Sequence, residues 1–135
     1  ANITNRNTKF TGDYSFAAAT HDGYMHLKGN PFVTRKLKLF NRKLIIFDRI
    51  SGKERKKFDF FLPLHPKTKF VQRKENEIVF ELMGKKIIIK TPSNLKTNLC
   101  DTQYFQEFNK YDKNITIKLS SFINLPFESK IEISW

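Results

Sequence analysis

A few side chains in this sequence are of types that do chemistry: His21, His26 and His65, the single Cys100, Tyr24 beside the first two histidines, and Arg35, which interrupts an apolar alternation. His21, Asp22, Tyr24 and His26 sit close together around Gly23. Nucleophilic catalysis needs a hydroxyl or thiol beside a base that a third group orients. Cys100 has no neighbouring histidine in the chain and no serine lies in a strand-turn-helix elbow, so Cys100 reads as a small packing residue. Zinc sites use three or four ligands at short, regular spacings. The spacing of His21, Asp22 and His26 matches no such pattern, so no metal is expected. Acids are few and lie among lysines, so no carboxylate pair of the glycosidase type stands out. A glycine-rich phosphate loop is missing too. The expectation is no catalytic residue, no metal and no cofactor in this chain.

The charge is strongly one-sided. The formal net charge is +12, and between Arg35 and Lys90 there are 17 Lys or Arg against 6 Asp or Glu. Such a field attracts polyanions: acidic polysaccharide, nucleic acid, anionic lipid. It also reads as a solvated face that keeps the protein soluble. Nucleic-acid binding needs exposed rings for stacking, and Phe58, Phe60 and Phe80 fall on the apolar phase of their runs. Nucleic acid is therefore expected only as a nonspecific partner. No apolar run approaches the ~20 residues of a membrane-spanning helix, so no membrane insertion is expected.

The elements that must hold these residues have a period of two. Val33, Arg35, Leu37 and Leu39 alternate with Thr34, Lys36 and Lys38; Phe58, Phe60, Leu62 and Leu64 share one phase; so do Ile78, Phe80 and Leu82, then Ile115, Ile117 and Leu119. A small-residue strand is expected from Tyr14 to Ala19. Turn signals such as Asp22-Gly23, Gly29-Asn30-Pro31, Ser51-Gly52 and Met83-Gly84 separate the runs. Thr102 to Tyr111 is compatible with a loop or a short helix. The fold class expected is all-β, an antiparallel two-layer β-sandwich formed by residues 1–135 as one domain. Within it, Gly23 is expected to take a positive φ, Ser51-Gly52 to turn a hairpin, and Asp48 to pair with Arg35 across the sheet. Arg35 itself is either buried and paired or aimed into a cleft.

Four stretches in order carry a resemblance: Ala17-Ala18-Ala19-Thr20-His21-Asp22-Gly23-Tyr24, Pro31-Phe32-Val33-Thr34-Arg35-Lys36-Leu37, Leu44-Ile45-Ile46-Phe47-Asp48-Arg49-Ile50-Ser51-Gly52, and Phe60-Phe61-Leu62-Pro63-Leu64-His65-Pro66. In order and spacing they resemble the C-terminal β-sandwich region of the heparinase II/III-like polysaccharide lyases. The likeness is strongest over residues 13–70. Two positions depart from it: Thr34 stands where a histidine commonly precedes the arginine, and Pro63 replaces the first histidine of the strand-end motif.

The resemblance implies a module that follows an N-terminal α/α toroid, with the catalytic tyrosine in that toroid. It implies an acidic, uronate-containing polysaccharide as partner, split by β-elimination, and a periplasmic or secreted location. On this reading the chain supports the toroid or lines its cleft. His21, Tyr24, His26 and Arg35 are its candidate substrate-binding residues, and it is not itself the enzyme. The alternatives are a free-standing basic module for acidic glycan or nucleic acid, and a purely structural domain.

Overall fold

The computed structural model describes residues 1–135 as eleven β-strands with no helix. In chain order these are β1 (Ile3–Phe10), β2 (Ser15–His21), β3 (Phe32–Phe40), β4 (Lys43–Ser51), β5 (Arg55–Pro63), β6 (Thr68–Lys74), β7 (Glu77–Leu82), β8 (Lys85–Lys90), β9 (Lys96–Glu107), β10 (Lys110–Asn124) and β11 (Phe127–Ser134). The fold is all-β, with antiparallel sheets in a sandwich arrangement. Two compact units divide the chain: Ala1–Lys56 with Phe122–Trp135, and Lys57–Ser121.

In the first unit five strands lie in the order β1-β2-β3-β4-β11. The register sets one face directly. Ala17 opposes Leu37, which opposes Ile46, and Ile46 opposes Ile131; Ala19 opposes Arg35, which opposes Asp48. Directly opposed residues share a face, so the apolar phases of β3, β4 and β11 lie on this one, together with Ala17 and Ala19 of β2. Ile46, Asp48, Ile50, Ser129 and Ile131 on it are buried. Towards β3 and β2 the burial fades, and Leu37 and Leu39 remain 36% and 43% exposed.

In the second unit β6, β7 and β8 form an antiparallel meander, and β10 lies between β5 and β9. Ile78, Phe80, Ile89, Ile117 and Leu119 are almost fully buried and come from both sets of strands. The alternation of β5 is kept, with Phe58, Phe60 and Leu62 half-buried and the residues between them exposed.

Three expectations need correction, and one strand had no expectation at all. The polar N-terminus forms β1, an edge strand with a bulge between Thr4 and Asn7. Every residue of β1 is exposed, so no period-two signal was needed to make it a strand. Thr102 to Tyr111 is neither loop nor helix. It forms the arms of the β9–β10 hairpin, with Phe105 opposite Tyr111 and Asn109 at positive φ in the turn. Ser51-Gly52 ends β4 without making a hairpin, because β5 pairs with β10 and not with β4. Gly23 has no positive φ; it is small because a Cβ there would lie 3.0 Å from Ala1 Cβ and 3.2 Å from His21 Nδ1.

Candidate functional site

The candidate site lies in the first unit, where β2 ends and β3 passes beside it. His21 is the last residue of β2, and a turn follows at once: the amides of Met25 and Leu27 donate to the carbonyls of Asp22 and Tyr24. This tight winding swings Tyr24 back, so its ring centroid lies 5.5 Å from that of His21. The Gly23 amide donates to His21 Nδ1 at 3.3 Å. With Nδ1 accepting, a neutral His21 carries its proton on Nε2 and presents a donor outward. That arrangement suits binding a sugar oxygen or carboxylate and does not suit proton abstraction. His26 is exposed in the same turn and shares no ring contact or hydrogen bond with His21 or Tyr24.

Asp22 anchors the turn to the start of β1. Its carboxylate accepts from the backbone N–H and the side-chain amide of Asn2, and its own N–H donates to the Asn2 carbonyl. The Asn2 amide stabilises the charged form, so the Asp22 carboxyl is held below its ordinary value of 3.8.

Arg35 is committed to a partner. Its Nε and Nη2 donate to the two carboxylate oxygens of Asp48 at 2.7 and 2.8 Å, a bidentate pair. Asp48 is only 2% exposed, whereas half of the Arg35 side chain reaches solvent. The hydrogen bonds to Asp48 raise the Arg35 pKa further above its ordinary value. The cross-strand partner expected from the sequence is therefore present, and the free edge of the same guanidinium still borders open space.

That space is an apolar groove of about 360 Å³ across β1, β2 and β3. Ala17, Ala18, Ala19 and Leu37 line it, with Arg6 and Arg35 at its sides. It exists because Ala17 and Ala19, which share one face of β2, lack the bulk to fill the sheet surface between β1 and β3. Arg6 could not be found from the sequence, since β1 gave no strand signal.

The other candidates play local parts. The Lys67 amide donates to His65 Nδ1 at 3.2 Å, and the Thr68 amide to the His65 carbonyl, so His65 shapes the turn between β5 and β6. Cys100 is a free, half-buried thiol on β9. No three His, Cys, Asp or Glu side chains cluster closely enough to hold a metal ion. No helix is long and apolar enough to cross a membrane.

A family model described as Heparinase II/III-like, C-terminal, matches residues 1–135. The chain belongs to that family. No curated protein matches it in sequence. Among solved structures, the heparan sulfate lyase HepC from Pedobacter heparinus superposes with a TM-score of 0.83 at 14% identity, covering 98% of this chain and 21% of that one. A heparinase III superposes at 0.73 with 12% identity, covering 95% and 20%. A 4-alpha-glucanotransferase from Thermococcus litoralis superposes at 0.64 with 14% identity, covering 96% and 22%. At these identities the likeness is one of fold. The chain spans about a fifth of the length of each of these proteins.

Proposed function

We propose that this chain is the non-catalytic C-terminal module of a polysaccharide lyase that cleaves acidic, uronate-containing polysaccharide by β-elimination. The observation that carries this is the uncovered apolar face of β2 and β3. Leu37 and Leu39 share the face that buries Ile46 and Ile50 further along, yet both are exposed, and Ala17 and Ala19 beside them are only half-buried. A contiguous exposed apolar face is a contact surface, and the family's structures extend over about five times the length of this chain. The toroid or sandwich segments that precede such a module in the family are the natural cover.

The reaction class agrees with what the side chains here can and cannot do. In β-elimination a base removes the proton α to the uronate carboxylate and the glycosidic oxygen departs with its electron pair. The carboxylate gathers negative charge and must be neutralised. No base with an orienting partner stands in this chain. His21 presents a donor, Tyr24 is exposed beside it, and Arg35 has guanidinium N–H groups to spare. These are binding groups: they can line one side of a cleft and hold a polyanion for chemistry performed elsewhere.

Two measurements test the reading. The chain alone, incubated with heparan sulfate and with polygalacturonate, is expected to yield no unsaturated uronate by ultraviolet absorbance; product formation overturns the non-catalytic assignment. In a longer parent polypeptide, Leu37→Asp with Leu39→Asp should abolish lyase activity and lower the melting temperature. If activity and melting stay at wild-type values, the face is not an internal contact and a free-standing module is the better reading.

A further inference from the structure

The opposite face of the same five strands carries a feature that the supporting role does not use. Cross-strand register places Lys9, Phe16, Lys38, Ile45 and Glu132 in one row, and Asn7, Ala18, Lys36, Phe47 and Lys130 in the next. On the β4–β11 side the cations have acids. Arg49 pairs with Glu128 at 3.6 Å, Lys130 with Glu132 at 2.7 Å, and Lys43 approaches Glu132 at 4.0 Å. On the β1–β3 side there are none. Lys9, Lys36 and Lys38 have no carboxylate within ion-pair distance.

Aromatic rings hold two of these lysines in place instead. Lys38 Nζ lies 4.1 Å from the Tyr14 ring centroid and 5.0 Å from that of Phe40, and these rings are 6.0 Å apart. Lys36 Nζ lies 5.8 Å from the Phe47 centroid. Ring faces orient an ammonium group but supply no counter-charge. By sheet geometry, Lys36 and Lys38 are about 7 Å apart along β3, and Lys9 is about 10 Å from Lys38 across two strand spacings. At these separations on one sheet face, a single extended polyanion can meet all three ammonium groups at once.

We infer that Lys9, Lys36 and Lys38 form a binding site for a sulfated or carboxylated polysaccharide strand, on the sheet face opposite the His21, Tyr24 and Arg35 groove. Three ammonium point charges in a triangle match anionic groups repeated along a polymer. Nucleic acid fits less well, because it needs ring faces free for stacking and here Lys36 and Lys38 occupy them. The site would hold the polymer at a distance from the groove and raise its local concentration. The choice of glycan as ligand rests on the lyase reading; the site itself rests on the unpaired lysines.

The test is a fluorescence-anisotropy titration of the chain with a labelled heparin oligosaccharide, labelled polygalacturonate and random-sequence single-stranded DNA, at several salt concentrations. The variant K9Q/K36Q/K38Q keeps the side-chain stems and is compared with K74Q/K86Q/K90Q, which removes the same charge from β6 and β8. The first should weaken binding of the acidic glycan at least tenfold and lower the slope of log affinity against log salt by about two to three. The second should change affinity less than threefold. Equal losses in both variants, or no glycan binding by the wild-type chain, overturn the proposal. So does tighter binding of DNA that depends on the same three lysines. Should the triple variant fail to fold, the single variants K9Q and K36Q at exposed positions carry the test, each expected to weaken binding about threefold. Binding through these lysines would persist in a chain that supports no lyase, whereas failure of the supporting role is read from the Leu37 and Leu39 variants.

Discussion

Replacing Arg35 by Met removes the only cation within ion-pair distance of Asp48 and keeps most of the stem. Asp48 is 2% exposed and bonded through both oxygens to Arg35. Left alone, its carboxylate stays buried without a partner, a change that costs about 3 kcal/mol or more. The reverse change is milder. In Asp48→Asn the half-exposed guanidinium turns its freed N–H groups to water, and the amide oxygen still accepts, so the cost is about 1.5 kcal/mol. Near the midpoint a domain loses roughly 2.1 cal/mol/K per residue, or about 0.28 kcal/mol per degree for 135 residues. Arg35→Met should therefore lower the melting temperature by about 10 °C and Asp48→Asn by about 5 °C. Removing both charges with R35M/D48L should recover most of the loss, because the desolvation of the carboxylate goes with it. Raising the folded Arg35 pKa adds stability that is complete below its unfolded value and is lost only as pH rises above it, far into the alkaline range, so the Arg35 shift gives no pH dependence between pH 6 and 9. Differential scanning calorimetry of the four proteins decides the matter. An Arg35→Met melting point within about 2 °C of wild type, or a double variant as unstable as the two singles added, refutes the assignment of a buried pair that depends on both partners.

Three further outcomes follow from other sites. Gly29 has φ +89 and its Cβ would lie 2.3 Å from the Lys53 carbonyl oxygen, whereas Gly84 has φ +77 in open space. Gly29→Ala should thus cost more than about 3 kcal/mol and Gly84→Ala only about 1 kcal/mol, read as a difference in urea midpoints. Asn114 is buried, donating to the Leu64 carbonyl at 2.9 Å and accepting from Thr102 at 2.7 Å; Asn114→Ala should cost about 2 kcal/mol in the same assay. The Asp22 carboxyl is held below 3.8 by Asn2, so the contact between the start of β1 and the turn is complete above that pH and is lost as pH falls through the lower folded value. The Asn2 amide resonance should titrate with a midpoint below 3.8, and Asp22→Asn should abolish the transition; a midpoint at or above 3.8 would contradict the assignment.

Period-two alternation was enough to establish the sheets, because strands with one packed face leave that signature in any chain that folds this way. It placed Arg35 and Asp48 on the apolar phase and so anticipated their bond. The same alternation put Lys36 and Lys38 on the opposite face from Leu37 and Leu39. What it could not supply was neighbourhood across the sheet. β1 has no alternation because neither of its faces is covered, so Lys9 had no assigned place until register set it opposite Phe16, nor Arg6 until the bulge of β1 brought it to the groove. The aromatic hairpin of β9 and β10 was hidden for a similar reason: its arms extend with exposed residues on both faces, and long-range pairing makes them strands. Gly23 shows the limit from the other side. Its composition signal pointed to backbone conformation, but the tertiary fold requires a small residue there because the N-terminus and the His21 ring close over it. Local pattern determined which residues face together; only the packed chain decided which charges found partners, and those that did not are where binding is proposed.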